Sequence, residues 1–134
     1  MNKQYSIKIT SRGPGIHDIT SEILDQLSLP SMGIAHLFLQ HTSAGLAITE
    51  NSSPSVWKDL TKWLHDLAPE SKSYFHDEEG PDDMPAHLKS LLTGQSIQIP
   101  IQHHKLALGK WQGIFLFEFR NAAPDRNIIV TLIG

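Results

Sequence analysis

The 134-residue chain has no cysteine, which excludes a disulfide framework, a thiolate metal site and a cysteine nucleophile. Any metal it holds must be bound by histidine, carboxylate or water. Long apolar runs are also missing: LALGKWQGIFLF and AHLFLQ are far shorter than the about 20 residues of a membrane-crossing helix. The N-terminal MNKQYSIKIT has no signal-peptide core, so the expectation is a cytoplasmic protein with no membrane partner. Positive charge is sparse. With 11 Lys and Arg against 14 Asp and Glu, a net charge of −3 and no basic cluster, the chain lacks the footprint of a nucleic-acid binder. Apolar residues still make up 40%, too many for a disordered chain. What stands out is histidine, eight residues in all.

Patterning predicts a single α+β domain over residues 1–134, with strands at both ends and three helices between. Tyr5, Ile7 and Ile9 alternate with polar neighbours as in a half-buried strand, broken by Arg12-Gly13-Pro14-Gly15. Asp18 is placed to cap a helix carrying Ile19, Ile23, Leu24 and Leu27 on one stripe. Residues 34–40 and 46–49 read as buried strands joined by His41-Thr42-Ser43-Ala44-Gly45. Ser53-Pro54 opens the strongest helix, in which Val56, Trp57, Leu60, Trp63, Leu64 and Leu67 recur at helical spacing. Its two tryptophans are expected in the core or at a subunit interface. After Pro69 there is no periodicity until a short helix beginning at Met84 or Pro85, capped by Asp82 or Asp83. Leu88, Leu91 and Leu92 are expected inward, and Gly94 stops the helix. Residues 96–101, 105–108, 113–120 and 127–133 read as an antiparallel meander. So many apolar positions on a small sheet call for a second sheet or a second subunit to cover them.

Four groups of residues could carry chemistry. His41, Thr42, Ser43 and Gly45 can offer an imidazole, two hydroxyls and free backbone N–H groups to a phosphate or carboxylate, or the hydroxyls can simply satisfy the histidine. His76 and His87 can converge only if the acidic loop between them folds back, giving two imidazoles and a carboxylate to a cation. Asp83 is the acid nearest His87; it reads equally as a helix cap, while Asp77, Glu78 and Glu79 read as a solvated loop. Glu118 lies among Phe115, Phe117 and Phe119, where it either has a raised pKa and moves protons or pairs with Arg120 or Arg126. Trp111 and Gln112 could stack on and hydrogen-bond a ring, or pack. His17, His36, His65, His103 and His104 read as surface or packing residues.

Three blocks, HTSAGLAITEN (His41 to Asn51), YFHDEEGPDDMPAHLKSLLTGQS (Tyr74 to Ser96) and LGKWQGIFLFE (Leu108 to Glu118), together resemble the YjbQ-type proteins, named the secondary thiamine-phosphate synthase enzyme family. The resemblance runs over nearly the whole chain. It implies a compact, largely antiparallel, β-sandwich-like α+β subunit assembled as a homotrimer, its pocket near subunit contacts. It also implies a weak transferase activity, joining an aminopyrimidine pyrophosphate to a thiazole phosphate to give thiamine phosphate. The family's motif residues fall on His41, His76, His87, Gly109, Trp111, Gln112 and Glu118. The chain departs from the common pattern at Thr49, His104 and Lys110; a non-glycine such as His104 in a hairpin turn would be strained if the turn needs positive φ.

On the transferase reading, His41, His76 and His87, with Asp83 as a further ligand, hold a divalent metal ion, zinc or magnesium, or the pyrophosphate itself. Thr42, Ser43 and Arg126 hold phosphate oxygens of a small phosphorylated metabolite, and Trp111 and Gln112 face the pyrimidine. Glu118, His41 and His87 are the catalytic candidates, Glu118 managing a proton. Two other readings use the same residues: a metal-assisted hydrolase of a small phosphorylated or amide substrate, and a non-catalytic trimeric metal- or metabolite-binding protein.

Overall fold

The computed structural model describes residues 2–71 and 73–134. In chain order the elements are β1 (Lys3–Ile9), β2 (Gly15–Asp18), α1 (Thr20–Leu24), β3 (Met32–Leu39), β4 (Ala44–Glu50), α2 (Pro54–Leu67), α3 (Asp83–Thr93), β5 (Ser96–Gln102), β6 (Lys105–Leu106), β7 (Gln112–Glu118) and β8 (Arg126–Ile133). They form a five-stranded sheet, β1-β8-β3-β5-β6, and a three-stranded sheet, β2-β7-β4. Every pairing is antiparallel.

Strand β7 shows why its sequence is apolar at consecutive positions: it is covered on both faces. Ile114 and Leu116 enter the core shared with the larger sheet, beside Ile7, Leu37, Leu39, Ile99, Ile128 and Val130. Phe115 and Phe117 point the other way, against Leu64, Trp57 and Leu60 of α2. The order is therefore large sheet, small sheet, helix, a β-sandwich-like α+β arrangement as expected.

The C-terminal strands are not a meander. Only β5 and β6 are hairpin neighbours; β7 crosses to the small sheet, and β8 lies between β1 and β3. Periodicity marks strands but not partners, so this topology was outside its reach. A strand also occupies Gly15–Asp18, between the break expected at residues 12–15 and the expected cap at Asp18, and α1 runs only over Thr20–Leu24. Trp57 packs as expected, with its indole N–H donated to the Glu50 carbonyl at 2.7 Å, whereas Trp63 is exposed. Leu91 and Leu92, expected inward, are exposed as well. The β5–β6 turn is closed by His103 (φ 52°) and His104 (φ 62°), so the non-glycine at 104 does sit in the left-handed region. The His104 ring is held by the Leu29 carbonyl at 3.1 Å.

The placement of α3 depends on Gly45. A Cβ there would lie 1.8 Å from Thr93 Oγ1, so only glycine lets the end of α3 lie directly on β4. Ser90 Oγ–H, donated to the Ala44 carbonyl at 2.7 Å, pins the same crossing. The helix is thereby fixed with its first turn over the β3–β4 turn.

Candidate metal centre

Helix α3 begins at Asp83, and residues 83 and 87, one helical turn apart, project from the same face. The loop after α2 folds back and brings His76 to that face. His76 Nε2 stands 2.6 Å from Asp83 Oδ2, and His87 Nε2 stands 3.1 Å from the same oxygen. The three ligand atoms all lie within 4.8 Å of one another, and the two rings are 5.5 Å apart, tilted by 55°. Asp83 is 2% exposed, and both imidazoles are half-buried.

The contact on the far side of His87 assigns its protons. Nδ1 lies 2.7 Å from the Thr42 carbonyl oxygen, which can only accept, so Nδ1 carries the hydrogen. In the neutral ring Nε2 then presents a lone pair to a carboxylate oxygen at 3.1 Å. Two acceptors facing each other at that distance call for a shared proton or a metal ion between them. A backbone carbonyl that fixes the tautomer is also the usual outer support of a metal-bound histidine.

The other half of Asp83 is held by Arg120, whose Nη1 donates to Oδ1. Arg120 Nε donates to Asp82 Oδ2 at 3.0 Å and Nη2 to the Glu79 carbonyl at 3.1 Å. Asp82, expected as a cap, uses its carboxylate for Arg120 and the Asn121 N–H (2.8 Å) instead of its own helix. Burial pushes both carboxyls up, but for Asp82 the Asn121 and Arg120 hydrogen bonds prevail, and for Asp83 the His76 hydrogen bond with the His87 and Arg120 charges. Both therefore sit below the ordinary carboxylate value. The hydrogen bond to Asp83 holds His76 above the usual histidine value against a smaller desolvation effect.

A cavity of about 510 Å³ adjoins the cluster, lined by Phe38, His41, Thr42, His87, Leu91 and Gln95 among others. His41 thus shares a cavity with His87 but is not a member of the three-residue cluster. Its Nε2 accepts the Asn127 backbone N–H at 2.8 Å. Burial lowers its pKa, Arg126 lowers it further and Glu118 opposes. Thr42 contributes its carbonyl to His87 and lines the cavity.

Two expected roles give way to structural ones. Arg126, expected at a phosphate, is 1% exposed; it donates to Glu118 at 2.7 and 2.6 Å, to Ser43 Oγ at 3.1 Å and to the Ser43 carbonyl at 3.2 Å. Ser43 and Glu118 are occupied by the same pairing, and Glu118 Oε2 also accepts the Phe119 and Arg120 N–H groups. The salt bridge to Arg126, one of the two alternatives for Glu118, is what forms. Trp111 and Gln112 lie at the Glu50 end of the β4–β7 pair, whereas Glu118 pairs with Ala44 at the cluster end. Seven residues of strand separate the ends, about 20 Å. Within one chain these two residues do not meet the cluster. Trp111 is exposed, with Lys110 Nζ 4.8 Å from its ring centre.

Sequence reasoning missed Arg120 as the residue that orients Asp83, because the pairing spans 37 positions of chain. It also set Glu79 aside, although Glu79 Oε2 stands 3.3 Å from His76 Nε2.

A family model described as "UPF0047 protein YjbQ-like" matches residues 5–134. The UPF0047 protein YjbQ of Salmonella typhimurium is 44% identical, covering 98% of this chain and 97% of its own; that of Escherichia coli O157:H7 is 41% identical with the same coverage. Among solved structures, a conserved hypothetical protein of Thermus thermophilus superposes with a TM-score of 0.86 at 34% identity, covering 96% of this chain and 99% of its own. A Clostridium acetobutylicum protein described as an uncharacterized member of the YjbQ/UPF0047 family gives 0.79 at 38% identity, covering 98% and 99%.

Proposed function

The chain belongs to the YjbQ-like UPF0047 family, and from that premise we propose that it is a metal-dependent enzyme acting on a small phosphorylated metabolite, with His76, Asp83 and His87 as metal ligands. One observation carries the proposal: His87 gives its Nδ1 hydrogen to the Thr42 carbonyl, leaving its Nε2 lone pair and Asp83 Oδ2 aimed at each other. Two imidazoles and one carboxylate suit zinc or a similar borderline ion better than magnesium, which prefers oxygen throughout. Three protein ligands leave a position for substrate oxygen.

The specific reaction proposed is that of the thiamine-phosphate synthase type, in which an aminopyrimidine pyrophosphate alkylates a thiazole phosphate and pyrophosphate departs. A divalent ion at this site would neutralise the charge that grows on the departing pyrophosphate. The protein's own groups supply the rest. His41, its Nε2 occupied by the Asn127 N–H, is left with Nδ1–H to donate to a phosphate oxygen, and Thr42, which lines the same cavity, would offer its hydroxyl as a second donor. Phe38, Leu39 and Leu91 give the cavity apolar walls that fit a flat ring.

A homotrimer is part of the proposal. Met32, Ile34, Phe38 and Ile133 form an exposed apolar stripe on the outer face of the large sheet, and Leu91 and Leu92 on α3 are exposed too. Phe38 and Leu91 also line the cavity, so a neighbouring copy covering the stripe would close it. That copy is also the source from which Trp111 and Gln112 would reach a pyrimidine. Phosphorylated metabolites fit a cytoplasmic setting.

A second reading, metal-assisted hydrolysis, is favoured by one feature: Glu79 beside His76 could serve as base for a bound water. Incubation with both thiamine precursors separates the readings. The transferase reading requires thiamine phosphate and pyrophosphate in equal amounts, lost in His87→Ala. Release of phosphate from either precursor alone, abolished in Glu79→Gln, supports hydrolysis. Neither product at any zinc concentration removes the enzymatic proposal and leaves a metal-binding protein.

A further inference from the structure

A second cavity lies on the other side of α3. It holds about 230 Å³ between α2, α3, the start of β2 and the end of β7, roughly the liquid volume of eight waters. Lys89 reaches it from α3, two residues beyond His87 and so about 200° around the helix. Ile16, Leu64 and Phe119 supply apolar wall. Lys89 Nζ stands 5.1 Å from the Phe119 ring centre, and among the described residues it has no hydrogen bond and no ion pair. A half-buried lysine on a helix ordinarily meets a carboxylate or extends its head into water. Here the head stays over an aromatic ring inside a cavity.

Two of the acids around it are otherwise engaged. Glu118 is bound by Arg126, and Asp82 by Arg120. Glu70 borders the cavity but is exposed and makes no ion pair with Lys89. The inner wall therefore carries a positive charge that no carboxylate contacts, next to apolar surface, with Glu70 on the solvent side and Asp82 acting on it only from a distance.

We propose that this cavity binds a small organic monocarboxylate, its carboxylate on Lys89 and its short apolar body against Phe119, Ile16 and Leu64. The half-buried ammonium supplies a charge-assisted partner for the anion. The small volume excludes extended ligands, and Glu70 works against a second negative charge, so inorganic phosphate binds less well. The site uses none of the metal ligands and stands whether or not the metal proposal does.

The test is an NMR titration of the full-length protein with sodium benzoate and, separately, with inorganic phosphate at equal ionic strength. Saturable benzoate shifts centred on Ile16, Leu64, Lys89 and Phe119 are expected, with a Kd of about 1 mM or tighter. Lys89→Met should weaken binding at least tenfold and Lys89→Arg should retain it, each with an otherwise native spectrum; if Lys89→Met fails to fold, Lys89→Gln takes its place. Glu70→Gln should narrow the preference for benzoate over phosphate. Shifts that do not saturate, equal affinity in the charge-removing variants, or phosphate binding as tightly as benzoate would overturn the proposal.

Discussion

His76 and Asp83 show how one hydrogen bond links stability to metal affinity. Their contact raises the His76 pKa above its ordinary value and helps lower that of Asp83. The raised histidine stabilises the metal-free fold below its unfolded pKa of about 6.5, and that contribution is lost as pH rises through the higher folded value. A metal must displace the same proton, so zinc binding should weaken as pH falls from about 7.5 toward about 5.5, more steeply than for a lone histidine site. Calorimetric titrations at the two pH values, with proton release counted from buffers of different ionisation heat, measure this; a pH-independent affinity would contradict it. Arg120 should matter through Asp83. Removing an outer-shell partner of a ligand typically costs about 10–100-fold in metal affinity, so Arg120→Gln is expected to fall in that range while His76 and His87 remain. Arg126 differs. Breaking its buried pair with Glu118 leaves an uncompensated charge, and Arg126→Met should destabilise the fold by about 3–5 kcal/mol, read as a lower urea midpoint.

At the scale of elements, the site depends on how α3 lies across β4. Gly45→Ala would put a methyl into Thr93, lifting the helix end from β4 and stretching the His87–Thr42 contact. Lower thermal stability is expected together with weaker zinc binding, whereas an unchanged midpoint and affinity would show that the crossing tolerates displacement. What could be read from sequence follows the same division. The periodicity of α2, the Gly94 stop and the placing of Asp83 and His87 one helical turn apart rest on local spacing, whereas the approach of His76 depends on the acidic loop folding back, which spacing left open. His41 is adjacent in the fold, yet its Nε2 is occupied by Asn127, a pairing 86 residues apart. The commitment of Glu118 to Arg126 depends on the β7–β8 geometry, and the exposure of Leu91 and Leu92 on which side of α3 faces β4. Such facts are set by tertiary partners and leave no periodic trace.

For the whole molecule, the outer face of the large sheet and the exposed side of α3 are more apolar than an isolated small domain favours. If a homotrimer covers them, Phe38→Glu and Leu91→Glu should convert the trimer to monomer in sedimentation equilibrium. A wild type that sediments as monomer at every concentration would contradict the trimer and leave Trp111 and Gln112 without a pocket. No helix among the described residues is long and apolar enough to cross a membrane. The central claim concerns the cluster, and the most direct measurement is a zinc titration of wild type against His87→Ala, followed by calorimetry at neutral pH. One zinc per chain, bound at least tenfold more weakly in the variant, is the predicted result. No binding by the wild type, or equal binding by both proteins, would contradict it and leave the His87 contact with Asp83 to a proton.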